Sequence, residues 1–167
     1  MSTNGGPSWF RRLFARSKTV PLSPMRSDLV AVAWSFDDAE SASSALDRAT
    51  SVGGWNADAE TVFRHHLVLP ADTVEDAANI ASQDGYERSD GPFPEPNVPD
   101  AGYRMDVVDG VEVTLQRVQV IDALHISQER SRMAGLAQRR GGIVVGWDAL
   151  QPDAASPPGT ARRDIAD

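Results

Sequence analysis

From Leu29 to Phe36 apolar and small residues alternate, and Val30, Val32, Trp34 and Phe36 fall on one side. A period of two predicts a strand, here one whose large side chains share a face. Asp37 and Glu40 follow at capping-box spacing, and Ala39, Ala42, Leu46 and Ala49 form a stripe at 3, 4, 3 spacing that Gly53-Gly54 ends. The spacing predicts a helix over about 38–50. Glu60 to Leu69 reads as a second strand, closed by Pro70. Asp72 and Glu75 repeat the cap spacing, and Val74, Ala77, Ala78 and Ala81 line a second helix ending near Gly85. Tyr86-Glu87-Arg88 allows only a short strand, and the four prolines of 89–100 predict a loop.

Next comes a hairpin whose register follows from face matching. A two-residue Asp109-Gly110 turn would mix apolar and polar residues on each face. A three-residue loop, Val108-Asp109-Gly110, pairs Val107 with Val111, Met105 with Val113 and Tyr103 with Leu115, all on one side. It also puts Gly110 at the left-handed position of a bulged turn. Ser127 reads as the cap of a last helix carrying Arg130, Met133, Ala134 and Ala137, stopped by Gly141-Gly142. A final strand runs from Ile143 to Ala149. The expected class is α+β: a ferredoxin-like antiparallel sheet (βαββαβ) with helices on one face, preceded by an extra strand and helix.

Charge divides the chain into three. Residues 1–26 carry Arg11, Arg12, Arg16, Lys18 and Arg26 with no acid, a net +5, whereas 27–150 sums to −12 and the whole chain to −8. An acidic body repels phosphate backbones, so direct nucleic-acid binding by the domain is disfavoured and a basic protein partner is favoured. The 167 residues suit one domain. Its limits are expected at 28–150, between a disordered basic and aromatic segment, 1–27, and a disordered tail, 151–167, rich in proline. The chain has no cysteine, which excludes disulfides and thiolate chemistry and favours a reducing compartment. With no membrane-length apolar run and no secretory h-region, the expected location is cytoplasmic.

Chemistry-bearing residues are few. His65 and His66 are adjacent on a strand and so face opposite ways, which bars a shared metal or an acid–base pair. His65, with Phe63, Leu67 and Leu69, is expected to be a hydrogen-bonded core histidine; His66, with Arg64 and Val68, is expected at a contact surface. His125 precedes the last helix and has no carboxylate cluster. No nucleophile elbow, phosphate loop or metal-ligand spacing occurs, so neither catalysis nor a cofactor is expected. Trp147 reads either as an edge cover, with Gly146 admitting close backbone approach, or as an interface anchor. Trp9, Phe10, Leu13 and Phe14 share one side of a short helical repeat, with Arg11, Arg12 and Arg16 mostly away from it. That pattern suits docking to a partner or weak contact with an anionic membrane surface through 8–18, and would make the chain a membrane-peripheral adaptor.

One family shares several of these features in order. Arg64-His65-His66-Leu67 at the end of a strand, an acidic-capped helix, Gly85-Tyr86-Glu87, and a last helix from about Ser127 to Arg140 running through Gly141-Gly142 into Gly146-Trp147 resemble the ribonuclease E inhibitor RraB family over about 60–150. The chain departs from the enteric pattern at Val144-Val145 and in its N-terminal segment. The resemblance implies a ferredoxin-like domain and a non-catalytic role, binding a ribonuclease E-like protein and inhibiting its cleavage of transcripts. On that expectation His66, Tyr86, Gly146 and Trp147 form the partner interface. The rival from another class is an enzyme whose site assembles from distant residues.

Overall fold

The computed structural model describes residues 20–90 and 107–154. Five strands and three helices follow in the order β1 (Leu29–Ser35), α1 (Ala42–Val52), β2 (Thr61–Pro70), α2 (Val74–Ser82), β3 (Glu87–Ser89), β4 (Gly110–Gln119), α3 (Ala123–Gln138) and β5 (Ile143–Pro152). The strands form one sheet in the order β1-β5-β2-β4-β3, every neighbouring pair antiparallel. The class is α+β, as the alternating periods of two and 3.6 predict. Among the described residues no helix is long and apolar enough to cross a membrane.

Central β2 sets the two faces. Phe63, Leu67 and Leu69 point toward the helices. Phe63 joins Ala33, Ala45, Ala49, Ile126, Trp147 and Ala149 under α1 and the start of α3, while Leu67 and Leu69 join Val74, Ala77, Val113, Met133 and Leu136 under α2 and the rest of α3. The other face of β2 is closed as well: Val62, His66 and Val68 are each at most 1% exposed.

Several local expectations are corrected. α1 starts at Ala42 and not near 38, because Ser41, not Asp37, caps it: the Ser41 hydroxyl accepts the Ser44 amide at 3.1 Å. Asp37 instead accepts the Ala39 amide at 2.9 Å, a turn that spends its side chain before the helix begins. Asp72 caps nothing. It lies in a 3-10 turn, Ala71–Thr73, that leads into α2. α3 begins four residues before Ser127, capped by Asp122, whose carboxylate accepts the His125 amide at 2.8 Å. Ser127 is inside the helix and donates to the Ala123 carbonyl. His125 therefore belongs to the first turn, with Nδ1 2.9 Å from the Asp122 carboxylate.

In β1 the large residues do not make the helix-side face. A register shift between Ala31 and Ala33 turns the small Ala33 under α1, while Trp34 pairs with Asp148 and Val30 is 41% exposed. The left-handed residue before β4 is Asp109, at φ 50°, and not Gly110, while the Gly110 amide donates to the Val107 carbonyl. Residues 103–106 of the expected hairpin lie outside the described residues. β4 is flanked by β2 and by β3, which confirms the short strand near Arg88. Nor does the last strand stop at Ala149 or the folded part at 150. β5 runs to Pro152, and buried Gln151 holds the 56–59 turn through the Asn56 amide and carbonyl.

Candidate functional site

Strand alternation puts His65 and His66 on opposite faces, and the two meet opposite fates. His66 is fully buried, with Nδ1 3.1 Å from the Thr114 hydroxyl and Nε2 3.3 Å from the Asp148 carboxylate. Asp148 also takes both arms of the Arg64 guanidinium, at 2.7 and 2.6 Å. Burial alone would raise the Asp148 pKa, but the hydrogen bonds of Arg64 and then His66 outweigh it and hold the carboxyl below its usual range. The cluster is closed. Arg64 and Asp148 offset one another's charge, with side chains 13% and 1% exposed.

His65 lies under the helices, its ring edge-on to Phe63 at 4.5 Å and 5.8 Å from Tyr86. It is a core residue as expected, but not a hydrogen-bonded one: neither ring nitrogen has a partner among the described residues. Burial first, and the neighbouring His66 second, push its pKa down to about 3, so the ring is neutral at physiological pH. Beyond it, the Tyr86 hydroxyl donates to Glu129 at 2.8 Å, and Arg132 lies 3.5 Å from the same carboxylate. Burial and then this bond raise the Tyr86 pKa. Arg117 stacks over the Tyr86 ring at 5.1 Å and donates to the Asp84 carbonyl. These contacts lock α3 to β4 and to the turn after α2.

An open groove lies at the other side of α3. Ser35–Asp38, Arg130 and Ala134, and Val144–Trp147 line a cleft of about 120 Å³ with a mainly apolar wall. It continues into a shallower space of about 410 Å³ between residues 38–42 and Ser127, Arg130, Ser131 and Ala134. Arg130 fixes the two walls together by donating to the carbonyls of Glu40 at 2.7 Å and Asp38 at 3.1 Å. Through these two bonds Arg130 braces the turn against α3. Glu40 is drawn off by Arg48, which leaves the exposed Asp37 and Asp38 as the carboxylates of the rim. Gly146 is what lets the turn sit so close: a Cβ there would come within 2.3 Å of the Phe36 ring and 2.5 Å of the Ser35 carbonyl. None of the three histidines lines the groove.

The expected interface is therefore redistributed. His66, Tyr86 and Trp147 are 0, 3 and 1% exposed, so none presents a side chain to a partner; the strand and loop positions that suggested exposure are covered by tertiary packing. Trp147 packs against Phe63 at 5.7 Å, and only it and Gly146 meet at the groove. Trp9, Phe10, Arg11, Arg12, Leu13, Phe14 and Arg16 lie outside the described residues. Sequence reasoning passed over Asp38, Arg130, Ala134, Asp148 and Glu129. For Arg130 and Ala134 a signal existed, an i, i+4 pair on a helix next to a Gly-Trp strand. For Asp148 and Glu129 the partners are 84 and 43 residues away and leave no local trace.

Among the described residues no group of three or more His, Asp or Glu is placed to hold a metal ion. No family model, no curated protein and no solved structure matches the chain.

Proposed function

We propose that the chain is a regulatory protein-binding domain that acts by contact rather than by catalysis, in the cytoplasm, with the groove beside Trp147 as its docking surface. The observation that carries this reading is the groove itself. It is apolar along its floor, rimmed by Asp37 and Asp38, and braced by Arg130, which donates to the Glu40 and Asp38 carbonyls. A concave apolar strip with a carboxylate rim suits a protein segment that pairs bulky with basic side chains. The net −12 of residues 27–150 favours the same class of partner over nucleic acid.

The elements β2-α2-β3-β4-α3-β5 in sheet order β5-β2-β4-β3 support a ferredoxin-like unit, extended at one edge by β1 and α1. Together with the ordered resemblance over 60–150, this favours an RraB-like role, the partner being a ribonuclease E-type endoribonuclease. Capture of purified ribonuclease E by the full chain, with a transcript-cleavage assay alongside, tests the reading. We expect micromolar capture that slows cleavage, weakens in about 0.5 M salt and is lost in Ala134→Arg, which fills the groove from an exposed helix position. Absence of capture at micromolar protein, or capture unchanged by Ala134→Arg, removes it.

A further inference from the structure

Twice in this chain an arginine sits between an aromatic ring and a carboxylate. The Arg48 guanidinium lies 5.1 Å over the Trp34 ring and 3.0 Å from Glu40. That of Arg117 lies 5.1 Å over the Tyr86 ring and 3.9 Å from Glu129. The groove beside Trp147 holds the same two ingredients. The half-buried Phe36 ring and Trp147 line its cleft, and Asp37 and Asp38 follow Phe36 directly at the lip. Among the described residues neither carboxylate makes an ion pair: Asp37 accepts the Ala39 amide at 2.9 Å, and Arg130 donates to the backbone carbonyls of Glu40 and Asp38 instead of the aspartate side chains. We infer that the groove binds an arginine side chain presented by a partner protein, its stem along Phe36, Ala134 and Val145 and its guanidinium at Asp37 and Asp38. The inference rests on the groove being a docking surface and names the group that anchors the partner there.

Size, charge and hydration select the anchor. The inner cleft, about 120 Å³, is well short of the roughly 300–1,000 Å³ of small-molecule pockets and suits one side chain. The shallower space of about 410 Å³ beside it gives the flanking residues of the segment a seat. Arg48 pairs with Glu40, so the two aspartates face only the single positive charge of Arg130 and the lip stays negative. An apolar side chain would fill the cleft and leave those carboxylates without a counter-charge. Lysine and arginine both supply one, but an ammonium is compact and strongly hydrated, which an apolar floor penalises. A guanidinium is more weakly hydrated and planar, so its face stacks on a ring while its edge donates to carboxylates. Opposite charge at an open lip makes the contact salt-sensitive.

The probe is the blocked tripeptide acetyl-Leu-Arg-Leu-amide, titrated into the full chain. Backbone amide resonances are followed at Phe36, Asp38, Ala134 and Val145 in the groove, and at Ile80 on α2 as a reference. Saturable shifts are expected at the four groove amides, with severalfold weaker binding of the lysine version. The citrulline version, which keeps the shape and loses the charge, should not bind. Asp37→Asn with Asp38→Asn should weaken the arginine tripeptide roughly tenfold, as two partly exposed ion contacts would. Asparagine keeps the acceptor for the Ala39 amide, and unchanged resonances outside 36–40 verify that the variant is folded. Citrulline binding as well as arginine overturns the inference in the wild-type chain alone. Undiminished binding by the folded asparagine variant overturns it too, as does the lack of any groove shift. Free L-arginine binding as tightly as the tripeptide also overturns it, since the occupant is then a small molecule. Ribonuclease E capture is read separately. Its failure beside a bound tripeptide removes that partner and leaves the arginine site, whereas capture lost in Ala134→Arg beside a silent tripeptide removes the arginine anchor and leaves the docking surface.

Discussion

His65 is the residue at which burial and chemistry conflict most. Its ring packs against Phe63 and Tyr86 without a hydrogen bond, and its folded pKa is about 3 against an unfolded value near 6.5. Above pH 6.5 both states are neutral and stability is intact. As pH falls from 6.5 toward 3 the unfolded chain takes up a proton that the folded chain refuses, so stability drops by as much as about 1.4 kcal/mol per pH unit. Asp148, held below its usual range, adds its own loss only further into acid, as pH falls through its folded pKa. Urea melts of wild type and His65→Phe between pH 7 and 4.5 separate the two. The variant should lose most of the slope in that window and gain roughly 1–3 kcal/mol at neutral pH, because an unsatisfied polar ring is removed. The opposite face carries the converse expectation. Asp148→Ala strands the Arg64 guanidinium and should cost about 3 kcal/mol in the same melts, whereas Arg64→Met with Asp148→Leu should recover much of it.

Helix starts are decided at the level of the element, by which side chain reaches the orphan amides. At α1 the three-residue spacing to Glu40 pointed to Asp37 as the cap. In the folded chain Glu40 turns to Arg48 and Ser41 takes the cap. Ser41→Ala and Asp122→Ala should each cost about 1 kcal/mol in thermal or urea unfolding, while Ser127→Ala, in mid-helix, should stay within about 0.5 kcal/mol. Glycine at 146 is set by the approach of β1 to β5 and not by its own turn. Gly146→Ala should cost roughly 1–3 kcal/mol by driving a methyl into the Phe36 ring and the Ser35 carbonyl, and it should shift the amide resonances of Asp37 and Asp38.

For the whole molecule, the sheet order is the consequence that joins these parts. β5 inserts between β1 and β2, and that insertion brings residues 144–147 beside the turn after β1 and beneath α3. The groove exists only where these three distant stretches meet. The contacts proposed for an outside partner are electrostatic at the rim and apolar at the floor, so ionic strength should alter the association rate more than the dissociation rate. Stopped-flow capture of ribonuclease E at two salt concentrations measures this directly.

By itself the sequence determined what nearest neighbours determine. The period of alternation set strand or helix, proline and glycine set most of the breaks, adjacency on β2 sent His65 and His66 apart, and charge counting set an acidic body against a basic N-terminal stretch. Tertiary structure decided everything that depends on residues far apart in the chain. It chose Ser41 over Asp37 as a cap, buried Tyr86 and Trp147 instead of displaying them, paired Arg64 with Asp148, and opened a groove at Arg130. The reason is physical: a local pattern fixes which way a side chain points along its own element, but only the neighbouring element fixes whether that direction is covered.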